Sequence, residues 1–214
     1  MRPAVFLDRD GVINEEVYYP TFGEWEAPMA SDDLVLKSGA IDALRALQGQ
    51  GFALILVSNQ AAFAKGKTTL RSLQEVHEHF DLLMRTGGVR FTDYHYSFSH
   101  PDGVVPTFTG RSVERKPSPY FLLVAQAKHD LDLARSWLIG DRATDIECGR
   151  AAGVSTILVT NSRAGDKAAG AEPTRRAADL REAARLIASF HQPPAAYENS
   201  NHASSPNAAA GRYK

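Results

Sequence analysis

Cysteine is almost missing from this chain: Cys148 is the only one in 214 residues. That excludes an internal disulfide and any zinc centre built on several thiolates. Nor is there an apolar run near the roughly 20 residues that a membrane span needs, so no membrane partner is expected. An excess of either charge is missing too, since 24 Lys+Arg stand against 25 Asp+Glu for a formal charge of -1. That balance argues against a nucleic-acid surface as the main purpose and against nucleic acid as a partner. The first apolar run starts within a few residues of Met1, so no secretion signal is expected and a cytoplasmic protein is the reading. What is present is ordinary globular material, 43% hydrophobic and 23% charged. That suffices for one domain with a sizeable core.

The apolar material falls into an alternating order. Val5-Phe6-Leu7, Phe52 to Val57, Asp93 to Phe98, Ser136 to Ile139 and Val154 to Val159 read as strands. Helices are expected over Ser38–Gln48, Thr69–Arg85, Ser118 to about Lys128 and Ala177–Phe190, each with apolar residues at helical spacing or a capping signal. Ser118 is the expected N-cap of the third helix, and Thr144-Asp-Ile-Glu147 reads as a capping box for a further helix closed by Gly153. His77 and His79, two apart on a helix, cannot face one way and read as surface residues. Glu15–Lys37 reads as a long aromatic loop, either a lid or a segment tucked onto the core. Residues 1–191 are read as one domain, and from Gln192 onward the Pro, Ala, Asn, Ser and Gly composition reads as a disordered tail. Strands alternating with helices predict an α/β fold, a doubly wound parallel sheet with helices on both faces.

Chemistry-bearing residues recur where those strands end. Asp8 and Asp10 follow the first strand, Ser58-Asn59-Gln60 the second, Gly140-Asp141 the fourth, and Lys116 precedes a helix. Ligands of open α/β sheets bind outside the carboxyl ends of the strands. Two carboxylates this close stay ionised only beside a cation, most simply Mg²⁺, which takes oxygen ligands. A DxD pair can also simply open a turn; its partners decide. Asp141, and Asp145 beyond it, could join Asp8 around the metal. Lys116 supplies a point charge, and the Ser58 hydroxyl can donate to phosphoryl oxygens. Together these residue types suit phosphoryl transfer, with a carboxylate able to attack phosphorus.

The order of these residues resembles the haloacid dehalogenase-like (HAD) superfamily at every one of its motifs. Asp8-Arg9-Asp10-Gly11-Val12 looks like motif I, Ser58-Asn59-Gln60 like motif II, Lys116 like motif III, and Gly140-Asp141 through Asp145 like motif IV. The resemblance implies Asp8 as nucleophile and Asp10 as general acid/base. It also implies Mg²⁺ held by Asp8, the Asp10 backbone carbonyl and Asp141. Phe6 to Asn14, Gly66 and Arg115-Lys116-Pro117 are similar to the branch of heptose bisphosphate and histidinol phosphatases, which lack a large cap domain. In that branch Arg115 and Arg142 would contact substrate, Glu16, Tyr18 and Tyr19 would line the site, and Asn59 and Gln60 would also bind substrate.

The branch usually holds a zinc through three cysteines and a histidine. The corresponding positions here are Ser97, Ser99, Ser112 and Glu114, and nearby His95 and His100 do not rebuild the site. No zinc is expected, and the loop from Ser99 to Glu114 must hold its shape otherwise. The expected activity is hydrolysis of a small phosphorylated sugar, with a heptose bisphosphate foremost, by a monomer or weak homo-oligomer. Histidinol phosphate, another small phosphomonoester, a nucleic-acid 3′-phosphate end and a catalytically silent binding protein are the alternatives.

Overall fold

A computed structural model describes residues 1–160 and 168–191; the tail expected from Gln192 onward lies outside the described residues. Six strands form one sheet: β1 (Ala4–Leu7), β4 (Ala53–Asn59), β5 (Asp93–Ser97), β6 (Trp137–Gly140), β7 (Ser155–Val159) and β8 (Arg175–Ala177). Their spatial order is β5-β4-β1-β6-β7-β8, and every pairing is parallel. The chain runs from β1 toward one edge through β4 and β5, then returns to build the other side from β6. Direction therefore reverses between β1 and β6, the crevice where such sheets bind ligands.

Strand pleating divides the core in two. Val5 and Leu7 of β1 pack on one face with Leu54, Leu56, Ile139 and Ile157, under α1 (Ala40–Gly49), α2 (Leu70–Thr86) and α5 (Leu180–His191). Ala4 and Phe6 point to the other face, against Leu122 and Ala125 of α3 (Tyr120–His129) and Cys148 of α4 (Ala143–Ala152). Both faces being covered explains why β1 and β4 are apolar without alternation. Each fully buried Phe or Leu there contributes about 2 kcal/mol.

Element ends differ from expectation in informative ways. Thr69 caps α2, its hydroxyl accepting from Ser72 N–H at 3.0 Å. Pro119, one residue later than expected, directly precedes α3, while the Ser118 hydroxyl still accepts from Tyr120 N–H at 3.3 Å. At α4 the reciprocal contact comes from Asp145, whose Oδ2 accepts from Arg142 N–H at 3.0 Å, and not from Thr144 and Glu147. The Glu15–Lys37 segment contains a hairpin, β2 (Val17–Tyr19) and β3 (Glu24–Glu26), turning at Gly23 with φ +66°. Strands of three residues are too short to display a period of two. His77 is half-buried: its Nδ1 lies 3.0 Å from the Tyr96 hydroxyl.

One ion cluster ties the open sheet edge to α3. Asp93 Oδ2 lies 2.9 Å from Lys128 Nζ, 2.8 Å from His129 Nε2 and 3.4 Å from His95 Nε2. Burial opposes ionisation, but bonds from Lys128 and His129 bring the Asp93 carboxyl down to about 2. Its folded value lies below its unfolded one, so its stabilisation is present above about pH 4 and is lost as pH falls toward about 2. Asp93→Asn should lower stability at neutral pH by about 1 kcal/mol after solvent screening, with the difference from the parent shrinking as pH falls toward about 2. Urea titrations at several pH values measure this, and a constant difference across that range would refute the assignment.

Candidate active site

The carboxyl ends of β1, β4 and β6 bring the chemistry together. Asp8 continues β1, its N–H donating to Ile139 O at 3.0 Å on β6. Gly11, at φ +81°, turns the chain back so that Asn14 can reach Asp10. On β6, a Cβ at Gly140 would come within 2.2 Å of Asp145 Cβ, so only glycine lets that carboxylate pack against the strand. Asp8, Asp141 and Asp145 are all buried, with one oxygen of each within 4.8 Å of the others.

Lys116 stands among these acids. Its Nζ lies 3.0 Å from Asp8 Oδ1 and 2.6 Å from Asp145 Oδ1, and donates to Val57 O at 2.8 Å. Burial alone would discharge it, but Asp145 and Asp8 more than offset that and hold it protonated. Asp8 is raised to about 6, chiefly by burial, against the pull of Lys116. Asp141 is raised to about 8 by burial and by Asp8 and Asp145. Both Asp141 oxygens are buried without a hydrogen-bond donor, Arg142 Nε standing 3.8 Å from Oδ1. An orphaned carboxylate beside a second one fits a hard divalent cation. Asp145 is the poorer ligand, since Lys116 and Arg142 N–H already take its two oxygens.

Asp10 has a different environment. It accepts from Arg9 Nε at 3.0 Å, Asn14 Nδ2 at 3.0 Å and Gln60 Nε2 at 2.6 Å. Burial opposes ionisation here as well, but Arg9 and these donors outweigh it and hold Asp10 below the usual carboxylate range. Its carboxylate stands apart from the cluster of Asp8, Asp141 and Asp145, so any metal contact from Asp10 would be through its backbone, as the resemblance implies.

A cavity of about 280 Å³ opens over this floor. Asp8, Asp10, Lys116, Arg115, Arg142 and Asn59 line it, as anticipated from the motifs. Arg115 donates to Ser99 O at 3.0 Å, which fixes it to the loop that would otherwise carry zinc. Arg142 reaches buried Glu16, its Nη2 donating to Oε1 at 2.8 Å. Asn59 faces the cavity, yet its amide clamps Lys116, accepting its N–H at 3.1 Å and donating to its carbonyl at 3.2 Å.

Glu16, expected to line the site, instead lies buried behind Arg142, and four further expected residues lie off the cavity wall. Ser58 and Gln60 are each 1% exposed and bonded to each other at 2.9 Å, behind Asp10 and not on the cavity wall. Tyr18 packs outward on Trp25 with the rings tilted by 54° and their centroids 5.4 Å apart. Tyr19 donates to Asp33 Oδ2 at 2.5 Å and accepts from Met29 N–H, anchoring the hairpin. All four therefore act on the shape of the site and not on its contents. The cavity also gains Glu26, Lys65, His100 and Thr144, which the motifs did not single out. Glu26 is the inward-facing alternate of β3, 2.6 Å from Lys67 Nζ and 3.6 Å from Lys65 Nζ, a pattern legible only once the hairpin is known.

The loop from Ser99 to Glu114 is held by the protein itself. Val104 and Val105 N–H both donate to Ala64 O, at 2.7 and 3.1 Å, and Phe108 packs edge-on to Phe63 at 5.0 Å. His100 N–H donates to Phe108 O at 3.0 Å.

Removing the Gln60 amide should expose its purpose. Gln60→Leu is expected to lower kcat about 10- to 100-fold and to raise the acidic limb of the pH–rate profile, because Asp10 loses its shortest donor. Unchanged kcat would show that Gln60 only packs.

Comparison with known proteins agrees with this architecture. A family model described as HAD-hydrolase-like matches residues 113–183. The D-glycero-beta-D-manno-heptose-1,7-bisphosphate 7-phosphatase of Yersinia pestis is 34% identical over 160 residues, 75% of this chain and 81% of the relative. The corresponding Thermosynechococcus vestitus protein is 38% identical over 162 residues, 74% and 79% of the two chains. The fold matches that of a D,D-heptose 1,7-bisphosphate phosphatase from B. bronchiseptica, solved with magnesium and phosphate, at TM-score 0.73 and 23% identity, covering 89% of this chain and 99% of that one. Relatives at this identity and coverage, with the six-stranded parallel sheet and its acidic crevice, show that the chain belongs to the HAD superfamily of phosphatases.

Proposed function

We propose that the chain hydrolyses phosphomonoesters of small phosphorylated sugars, with D-glycero-D-manno-heptose 1,7-bisphosphate, cleaved at the 7-phosphate, as the leading substrate. The observation that carries this reading is Asp8, set on the cavity floor with one oxygen 3.0 Å from Lys116 Nζ. The substrate assignment rests on the relatives' names and on a small cavity whose lining includes Lys65, Arg115, Lys116 and Arg142.

Asp8 attacks phosphorus, the bond to the sugar oxygen breaks, and Asp10 gives that oxygen a proton. Water then attacks the aspartyl phosphate, Asp10 takes its proton, and Asp8 is released. Arg9, Asn14 and Gln60 hold Asp10 in the ionised form needed for the second step; a dianionic substrate beside it raises its proton affinity for the first. Lys116 keeps Asp8 oriented and balances charge on the transferring group. Asp8 and Asp141 would hold Mg²⁺, with the Asp10 carbonyl completing the set that the family resemblance implies. The metal, when bound, neutralises phosphoryl charge.

Phosphate release from purified protein with Mg²⁺ is the test, across heptose bisphosphate, histidinol phosphate and a sugar-phosphate panel. Heptose bisphosphate should turn over fastest, and EDTA should abolish release. Faster turnover of histidinol phosphate would overturn the substrate assignment, and no release from any compound would overturn the reaction.

A further inference from the structure

The cavity over Asp8 has a second polar end that the steps at Asp8 and Asp10 leave without a task. Lys65, from the turn after β4, and His100, from the loop of Ser99 to Glu114, line it beside Arg115. Close backbone approach brings that turn and that loop together. Val104 and Val105 N–H hold the Ala64 carbonyl, and a Cβ at Gly103 would come 3.1 Å from His100 O and 3.2 Å from Ala64 Cβ. Beyond burial itself, the charges that act on His100 are Arg115, Lys65, Asp102 and Glu26. Those that act on Asp8 are Lys116, Asp145, Asp10 and Arg142. The two sets do not overlap, so the lining divides into an acidic floor and a basic end.

The basic end holds more positive charge than its acids answer. Glu26 Oε1 is taken by Lys67 at 2.6 Å, which leaves Lys65 Nζ 3.6 Å away, beyond hydrogen-bond reach. Lys67 is shared in turn with Glu24 at 2.6 Å. Lys65, Lys67 and Arg115 thus face Glu24 and Glu26, and one positive charge is left over. Asp102 lies off the lining, its side chain 91% exposed and screened by water. Among the described residues no carboxylate pairs with Arg115; its Nη1 donates to the Ser99 carbonyl. Burial and Arg142 both press against its charge, which a bound anion would relieve. His100 adds a donor without a charge. Burial, Arg115 and Lys65 lower its proton affinity, and its Nδ1 accepts Asp102 N–H at 3.1 Å, so its proton stands on Nε2.

We propose that Lys65 and His100, beside Arg115, form a second anion subsite that takes the phosphate left on the sugar while the other is cleaved at Asp8. This rests on the phosphatase reading above and deepens it by assigning residues to the group that does not react. A sugar hydroxyl would leave the surplus charge unanswered. A phosphate monoester brings a charge near -2 and three acceptor oxygens, enough for an ammonium, an imidazole N–H and a guanidinium. The cavity is small, about 280 Å³, so one small ligand meets both ends. Lys65 and His100 then determine specificity, favouring bisphosphates through binding and not through the chemical step.

Calorimetric titration into the full-length Asp8→Asn chain with Mg²⁺ reads binding without turnover. The ligands are heptose 1,7-bisphosphate and heptose 7-phosphate, which differ only in the group concerned. The bisphosphate should bind at least about tenfold more tightly. Adding Lys65→Met should erase most of that advantage, and Lys65→Arg should keep it. His100→Asn retains an acceptor for Asp102 N–H but removes the Nε2 donor, and should reduce the advantage about threefold to tenfold. Equal affinity for the two ligands, or a loss in Lys65→Met shared equally by both, overturns the subsite. An unchanged ratio in His100→Asn removes His100 alone from it. With Asp8 intact, Lys65→Met should raise KM for the bisphosphate about tenfold or more while kcat stays within about twofold of the parent. A fall in kcat with KM unchanged would also overturn the assignment. If the parent releases no phosphate while the affinity ratio stands, the reaction reading fails and the anion subsite holds.

Discussion

Asp8→Asn is expected to release phosphate from sugar phosphates at least about 10⁴-fold more slowly than the parent while remaining folded. An amide cannot form the acyl phosphate; Asp141 does not line the cavity, and neither Asp145 nor Asp10 could replace Asp8 without losing its own partners. Asp145 is held by Lys116 and Arg142 N–H, and Asp10 by Arg9, Asn14 and Gln60. Stability should persist because the amide oxygen can still accept from Lys116 and from Arg9 N–H, contacts of 3.0 and 2.8 Å in the parent. It should even rise slightly without metal, since one charge leaves a group that raises Asp141 to about 8. The sign follows from linkage. Asp141 binds its proton more tightly folded than unfolded, so its stabilising contribution is present at low pH and fades as pH climbs toward about 8. Metal-free parent should therefore lose stability over that range more steeply than Asp8→Asn, and Mg²⁺ should flatten both curves. Melting curves in EDTA and in Mg²⁺ read this directly. Phosphate release retained by Asp8→Asn would place the nucleophile elsewhere.

Five strands of the sheet were legible because their signal is redundant; β8, three residues ending at the Ala177 where the last helix was expected to start, was not. β1, β4 and β7 are apolar on both pleats, and a run such as Ala53 to Val57 can be little else between two glycine- or polar-marked ends. The acidic floor was legible for a related reason: Asp8 and Asp141 sit one residue past their strands, so strand position alone sends both to the same crevice. Side-chain direction beyond a strand end carries no such period. Ser58 and Gln60 look like substrate donors in one dimension, yet Arg9 and Asp10 draw them behind the cavity wall. The same limit hid Glu26, which reaches the cavity because the β2–β3 hairpin folds back over it, and Lys65, which reaches it from the turn after β4. Tyr18 and Tyr19 are adjacent in sequence and necessarily diverge in a strand, so at most one could have faced the site; packing against Asp33 and Met29 claimed Tyr19 for the hairpin's anchor.

Lys116→Met is expected to cost about 3–5 kcal/mol of stability and at least about 10³-fold in phosphate release. The stability loss does not come from a weak surface pair. Lys116 and Asp145 side chains are 3% and 0% exposed, so water cannot replace the ammonium once it is gone. Asp8 and Asp145 would face each other with Asp141 as a third acid and Arg142, 3.8 Å from Asp141, as the remaining cation, and the Val57 carbonyl would lose its 2.8 Å donor. Methionine keeps most of the lysine stem's volume, which separates the charge effect from a cavity effect. A divalent ion can supply part of the missing charge, so Mg²⁺ should raise the melting temperature of Lys116→Met more than that of the parent. Activity should stay low even there, because the ion would hold Asp8 and Asp141 without reproducing a donor aimed at the transferring group. Chemical denaturation with and without Mg²⁺, paired with phosphate release measured well below the melting midpoint, separates the two losses. Parent-like stability in EDTA would mean that the buried acids are already neutralised by protons, and Lys116 would then be a binding residue with no structural duty.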